Sequence, residues 1–175
     1  MSRTAVRSAI GGTLAQDFEE IFREHSGLVY RTAFSVTGSR HDAEDVLQTI
    51  FLRLLQRNLP SDFYKNPKGY LYRAAVNVAL ITIRTRKRQR IDAVIEDVDS
   101  IALPYAPVAD EDRKQRLVRA ISELHPKAVE ILILRYEHDY SDAEIAKMLG
   151  RSRGTIAVTL YRARARLKKL LGETA

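Results

Sequence analysis

Apolar residues recur at helical spacing through most of this chain. Phe18, Ile21, Phe22, Leu28, Val29, Ala33 and Val36 form a first stripe, and Gly38 follows where a helix would stop. Ser39 with Asp42 then resembles a capping box carrying Asp in place of the usual Glu. Behind it Ala43, Val46, Leu47, Ile50, Phe51, Leu54 and Leu55 make the most regular stripe in the sequence. Pro60, Pro67 and Gly69 interrupt the pattern. A third helix is expected from about Tyr70 to Arg88. It has two apolar faces: Leu71, Ala74, Ala75 and Val78 on one, Val76, Leu80 and Ile83 on another. Apolar surface on two sides predicts burial between helices or a partner-binding face.

The pattern stops at Ile91 and resumes after Asp112. Between them lie seven acids, Pro104, Pro107 and no Lys or Arg, the composition of an extended linker. Fully extended, such a stretch spans about 60 Å. Helical spacing then returns at Leu117, Ala120, Ile121 and Leu124, ended by His125-Pro126, and again at Val129, Leu132, Ile133 and Tyr136. Ser141-Asp142-Ala143-Glu144 is a capping box ahead of a short helix bearing Ile145, Ala146, Met148 and Leu149. Gly150 is a natural stop, and a last helix is expected from about Thr155 to Leu171. The fold class predicted is therefore all-α: a flexible tail (1–16), a helical domain (17–90), an acidic linker (91–112) and a second helical domain (113–175).

Charge sharpens this picture. The 175 residues carry a net charge of +7. Residues 17–90 hold 13 bases and 8 acids, residues 91–109 four acids and no base, and residues 110–175 14 bases and 10 acids. Two basic blocks flanking an acidic one imply an anionic partner, most commonly nucleic acid. There is no cysteine, which removes disulfides and thiolate zinc sites. The four histidines are scattered and lack metal-ligand spacing, and no phosphate-binding glycine loop or nucleophile elbow occurs. No catalytic residue, metal or cofactor is expected. The absence of a long apolar run argues against membrane insertion, and a cytoplasmic location fits.

A short capped helix, a glycine turn and a second helix form the helix-turn-helix pattern, whose second helix enters the DNA major groove. Here that helix carries Arg162, Arg164, Arg166, Lys168 and Lys169, with Arg151 and Arg153 just before it and no acid up to Leu171. Such cations neutralise phosphates and release counterions. Upstream, Phe63, Tyr64, Asn66 and Tyr70 lie beside a basic helix end with Arg84, Arg86, Lys87, Arg88 and Arg90. Aromatics next to such a surface can stack on unpaired bases.

The run Ser141–Gly150, then Ser152-Arg153-Gly154-Thr155-Ile156, then Tyr161–Leu167, resembles the C-terminal domain of sigma-70 family sigma factors. The run Asp42–Leu54 resembles the sigma segment that binds the clamp of core RNA polymerase. With only a linker between the two blocks, the chain resembles the extracytoplasmic-function (ECF) group. That resemblance implies an alternative sigma factor whose partners are core RNA polymerase, promoter DNA and an anti-sigma factor, monomeric when free of polymerase. It implies polymerase contact at Glu44, Asp45, Gln48, Thr49 and Phe51. It assigns the −10 element to Phe63, Tyr64, Asn66, Tyr70, Asn77, Arg84, Lys87 and Arg88. The −35 element falls to Arg135, Arg151, Ser152, Arg153, Thr155, Thr159, Tyr161 and Arg162. Ile81 stands where many family members carry Asp, and Ala157 and Val158 where many carry basic or hydroxyl side chains. The rival from another class is a helix-turn-helix regulator that dimerises on duplex DNA without polymerase.

Overall fold

The computed structural model describes residues 3–56, 61–96 and 109–172, with side chains over 18–56, 63–89 and 111–172. Eight helices account for these residues: α1 (Arg3–Thr37), α2 (Arg40–Gln56), α3 (Ser61–Lys65), α4 (Pro67–Glu96), α5 (Ala109–Ser122), α6 (Pro126–Tyr136), α7 (Asp142–Leu149) and α8 (Arg153–Leu171). None of them is long and apolar enough to cross a membrane.

Helices α1, α2 and α4 pack on one another through the stripes read above. Val29, Ala33, Val36, Ala43, Val46, Leu71, Ala75, Val76, Ala79 and Leu80 are almost wholly buried. The two-faced α4 is explained by this: one face meets α1 and α2, and the other meets the C-terminal helices. The second unit is built around α6. Val129, Ile131, Leu132, Ile133 and Leu134 are all buried there, with Ile145, Met148 and Leu149 of α7 and Ile156, Leu160 and Ala163 of α8 packed into the same core.

The helix ends follow local chemistry. Gly38 terminates α1 with φ +67. Ser39 Oγ accepts from the Asp42 backbone N–H (3.3 Å), which is half of the anticipated capping box. The other half does not form, because the Asp42 carboxylate is buried and accepts from Arg86 at 2.6 Å. At Ser141 the box is complete, with Glu144 accepting from both the backbone N–H and the hydroxyl of Ser141. These bonds hold the Glu144 carboxyl below the usual carboxylate range.

Two expected boundaries shift. Helix α1 begins at Arg3, where a flexible tail over 1–16 was anticipated. Arg3–Gln16 has no proline and several good helix formers, and extending an existing helix avoids a new nucleation step, which offsets part of the cost of about 1 kcal/mol at each of Gly11 and Gly12. The linker is shorter at both ends, since α4 runs on to Glu96 and α5 starts at Ala109. Asp110, Glu111 and Asp112 fall in the first turn of α5, where acids oppose the helix dipole. The remainder, 97–108, lies outside the described residues.

Candidate nucleic-acid interface

The two units meet along a seam, and several residues anticipated to touch DNA lie in it. The Tyr72 hydroxyl donates to the Glu130 carbonyl (2.5 Å). Burial, reinforced by the Glu130 charge, pushes this phenol well above its usual pKa. Asn66 Nδ2 donates to the Met148 carbonyl (3.0 Å), while its Oδ1 accepts from the Gly69 N–H (2.8 Å). A Cβ on Gly69 would lie 2.8 Å from the Met148 carbonyl oxygen, so only glycine allows α4 and α7 to approach this closely. Thr32 Oγ1 and His138 Nε2 are 3.1 Å apart across the same seam.

Arg84 shows why the seam is specific. Its Nε donates to the Ser122 carbonyl (3.0 Å) and its Nη2 to the Leu124 carbonyl (2.9 Å). These carbonyls sit at and just past the C-terminus of α5, the negative end of that helix. Lys87 pairs with Glu123 in the same turn and holds that carboxyl below its usual range. Arg86 is committed to Asp42. Of the basic run on α4, Arg88 is exposed and has no carboxylate partner among the described residues.

The anticipated −10 residues therefore separate into groups. Asn66, Arg84 and Lys87 are engaged by the C-terminal unit. Phe63 is only 1% exposed and packs edge-on to Tyr64 and Tyr70, so its ring is core, and a base contact would require it to leave that core. Tyr70 is half-buried against it, whereas Tyr64 is 68% exposed. Asn77 is exposed, and Ile81 and Arg88 lie on the same face of α4 at helical spacing. Ile81 is a member of this face that the charge pattern did not flag.

On α2, Glu44, Asp45 and Gln48 are exposed and Thr49 is half-buried, so the polar surface opposite the core stripe forms as expected. Phe51 does not belong to it. The ring is buried and edge-on to Phe18 and Phe22. The exposed apolar members of this surface are Leu52 and Leu55.

The helix-turn-helix is formed by α7, the turn at Gly150 (φ +65) and α8. Ser152 caps α8 by accepting from the Thr155 N–H (3.1 Å). Arg153 and Thr155 are exposed, Thr159 is half-buried, and Tyr161 is 71% exposed beside exposed Arg162. Arg151 is half-buried and turns inward, 3.7 Å from the buried Glu130 carboxylate, whose pKa is raised by burial and pulled back by Arg151. That Glu130 oxygen has no hydrogen bond, so Arg151 is needed as its counter-charge. Arg135 is exposed and donates to the Tyr140 carbonyl (3.1 Å), bracing the turn before α7. Sequence reasoning missed Glu130, although an acid within the apolar run Val129–Leu134 was the available signal.

The comparisons with known proteins agree with this division. Sigma-70 region 2 matches residues 21–89, and Sigma-70 region 4 matches residues 114–167. The ECF RNA polymerase sigma factor SigE of Mycolicibacterium smegmatis is 32% identical, covering 97% of this chain and 68% of its own. The RNA polymerase sigma-E factor of Streptomyces coelicolor is 32% identical, covering 89% of this chain and 86% of its own. Among solved structures, the sigma factor RpoE of Bartonella quintana, in complex with the anti-sigma factor NepR, aligns with a TM-score of 0.52 at 24% identity over 91% of this chain and 99% of that one. CnrH, in complex with the cytosolic domain of CnrY, aligns with a TM-score of 0.50 at 20% identity over 92% of this chain and 91% of that one. With a region 2 and a region 4 on one helical chain and relatives of this similarity, the protein belongs to the ECF group of the sigma-70 family.

Proposed function

We infer that the chain is an alternative sigma factor that binds core RNA polymerase and directs promoter recognition, DNA opening and transcription initiation. One observation carries this reading: a region 2 and a region 4 occur on the same chain, the latter ending in an exposed, acid-free basic helix. Bond formation belongs to polymerase on this reading.

Roles follow from exposure. The polar face of α2, with Glu44, Asp45 and Gln48, and the neighbouring Leu52 and Leu55, docks on polymerase. Tyr64, Asn77 and Arg88 meet the −10 strand at once, whereas Asn66, Arg84 and Lys87 meet it only after the seam parts. Helix α8 holds the −35 duplex through Arg153, Thr155, Tyr161 and Arg162, with Ala157 and Val158 offering apolar contact to thymine methyls. An anti-sigma factor is a further proposed partner, as for the neighbour solved with NepR.

Run-off transcription with purified core polymerase, with and without this chain, on fragments of its own genome tests the reading. Discrete start sites that depend on the chain support it. No new transcripts and no complex with polymerase on a sizing column overturn it.

A further inference from the structure

A cleft of about 430 Å³ opens on the seam. Helix α1 supplies Arg23, His25 and Arg31, the start of α4 supplies Lys68, and the α6–α7 turn supplies His138 and Tyr140. Both units thus contribute to one cavity, and its volume falls within the range of small-ligand sites.

Its electrostatics are unbalanced. Arg23, Gly27 and Arg31 are four residues apart on α1 and share one face, and Arg31 Nη1 lies over Gly27, 3.5 Å from where a Cβ would sit. Among the described residues no carboxylate lies within ion-pair distance of Arg23, Arg31 or Lys68. Lys68 instead sits over the Tyr140 ring, 5.3 Å from its centroid. The one acid in the lining, Glu24, is turned toward His25 at 3.8 Å. The far wall is fixed by backbone: Asp139 is held at φ +53, and the Tyr140 N–H donates to the Leu134 carbonyl (3.0 Å). Three cations held around one concavity repel each other, and an anion placed among them relieves that repulsion while gaining charge-assisted hydrogen bonds.

We propose that this cleft binds a small phosphate-bearing anion, between pyrophosphate and a nucleotide in size, and that occupancy holds the two units together. Three cations drawn from α1 and α4 around one cleft suit an anion that carries more than one phosphate group. Because Lys68 and Arg31 come from one unit and the His138–Tyr140 wall from the other, the closed arrangement binds the anion better than an open one. The ligand then shifts the population toward closure. This inference rests on the closed packing and not on the promoter reading.

The test is calorimetric titration of the full-length chain with pyrophosphate at fixed salt. One saturable event is expected. Arg31→Glu and Lys68→Glu each weaken it by roughly tenfold or more, and Lys68→Gln by less. Arg113→Glu, on the exposed side of α5, leaves it unchanged, and circular dichroism checks that each variant folds. Unsaturable heats, or equal losses from Arg113→Glu and Lys68→Glu, mean diffuse surface charge and overturn the site. So does a silent pyrophosphate titration alongside loss of short single-stranded DNA binding in Lys68→Glu, which gives the cations to the DNA backbone. The chain has no cysteine, so Glu19→Cys with Arg164→Cys accepts one dye pair. Pyrophosphate should raise energy transfer between the dyes, and an unchanged signal overturns the bridging role. Run-off transcription is read separately, so either inference can fail alone.

Discussion

The basic end of α4 and the basic helix α8 look alike in sequence, yet the fold treats them differently. On α4, Arg84, Arg86 and Lys87 each have an internal partner, and the first two partners lie deep in the architecture: helix-end carbonyls for Arg84 and a buried carboxylate for Arg86. On α8, Tyr161, Arg162, Arg164 and Arg166 are exposed, with no ion pair among the described residues. A run of cations is therefore not in itself an available DNA surface. Availability depends on whether a negative helix end or a buried acid is near enough to claim them. On the proposed reading, the α8 surface is ready in the closed chain, and part of the α4 surface becomes ready only once α5 and the turn after it move away.

The largest effect expected separates core from contact within region 2. Phe63→Ala should cost about 3–5 kcal/mol of folding stability in urea denaturation, as a buried aromatic does. A loss confined to promoter binding would return Phe63 to the DNA surface. Next comes Gly69→Ala, which improves helix propensity but drives a Cβ into the Met148 carbonyl. The clash should weaken the seam by about 1–3 kcal/mol, seen as faster hydrogen exchange at the α6–α7 turn with the α1–α2–α4 core intact. Unchanged exchange would mean the two units do not pack as described. Tyr64→Ala should leave folding within about 0.5 kcal/mol while weakening capture of the single −10 strand by polymerase complexes by about 1–3 kcal/mol. Equal binding by both proteins would remove Tyr64 from the interface. On the other surface, Arg162→Ala should weaken −35 duplex binding and lower its salt slope by about 1; an unchanged slope would show that Arg162 meets no phosphate.

The smallest effect is on pH. Burial, reinforced by Arg31 and Lys68, lowers the pKa of His138 below its ordinary value of 6.5, with Glu137 and Asp139 pulling the other way. An open or unfolded chain therefore binds the proton more readily than the closed one. The closing contribution is complete above the ordinary value and is lost as pH falls through the lower, closed-state value. Dye-pair energy transfer should fall on mild acidification in the parent chain and stay flatter in His138→Gln. Parallel curves would exclude His138 as the cause.

What the sequence made legible was mostly local. Ser141 with Glu144, the turn at Gly150 and the stripe from Ala43 to Phe51 depend on neighbours within a turn or two, and each is found where the spacing put it. The family motifs marked region 2 and region 4 for the same reason. The seam was not legible, because its bonds join residues far apart in the chain: 38 positions from Arg84 to Ser122, 58 from Tyr72 to Glu130, and 82 from Asn66 to Met148. No periodicity marks such pairs. The resemblance placed Phe51 and Phe63 among contact residues, whereas the fold buries both rings. An aromatic beside polar residues reads the same whether its ring turns outward or inward, and only the packing of α1 and α4 decides.

Tyr72, introduced above as a bond across the seam, is also an optical label. The chain has eight tyrosines and no tryptophan, so its near-ultraviolet signal is set largely by phenol rings. Burial holds the Tyr72 phenol well above the usual range, so it stays protonated into strong alkali as long as the two units remain together. The late phenolate step in an alkaline absorbance titration thus reports closure without any added dye. A partner that opens the chain would move that step to lower pH, so the protein carries its own indicator of whether its halves are joined.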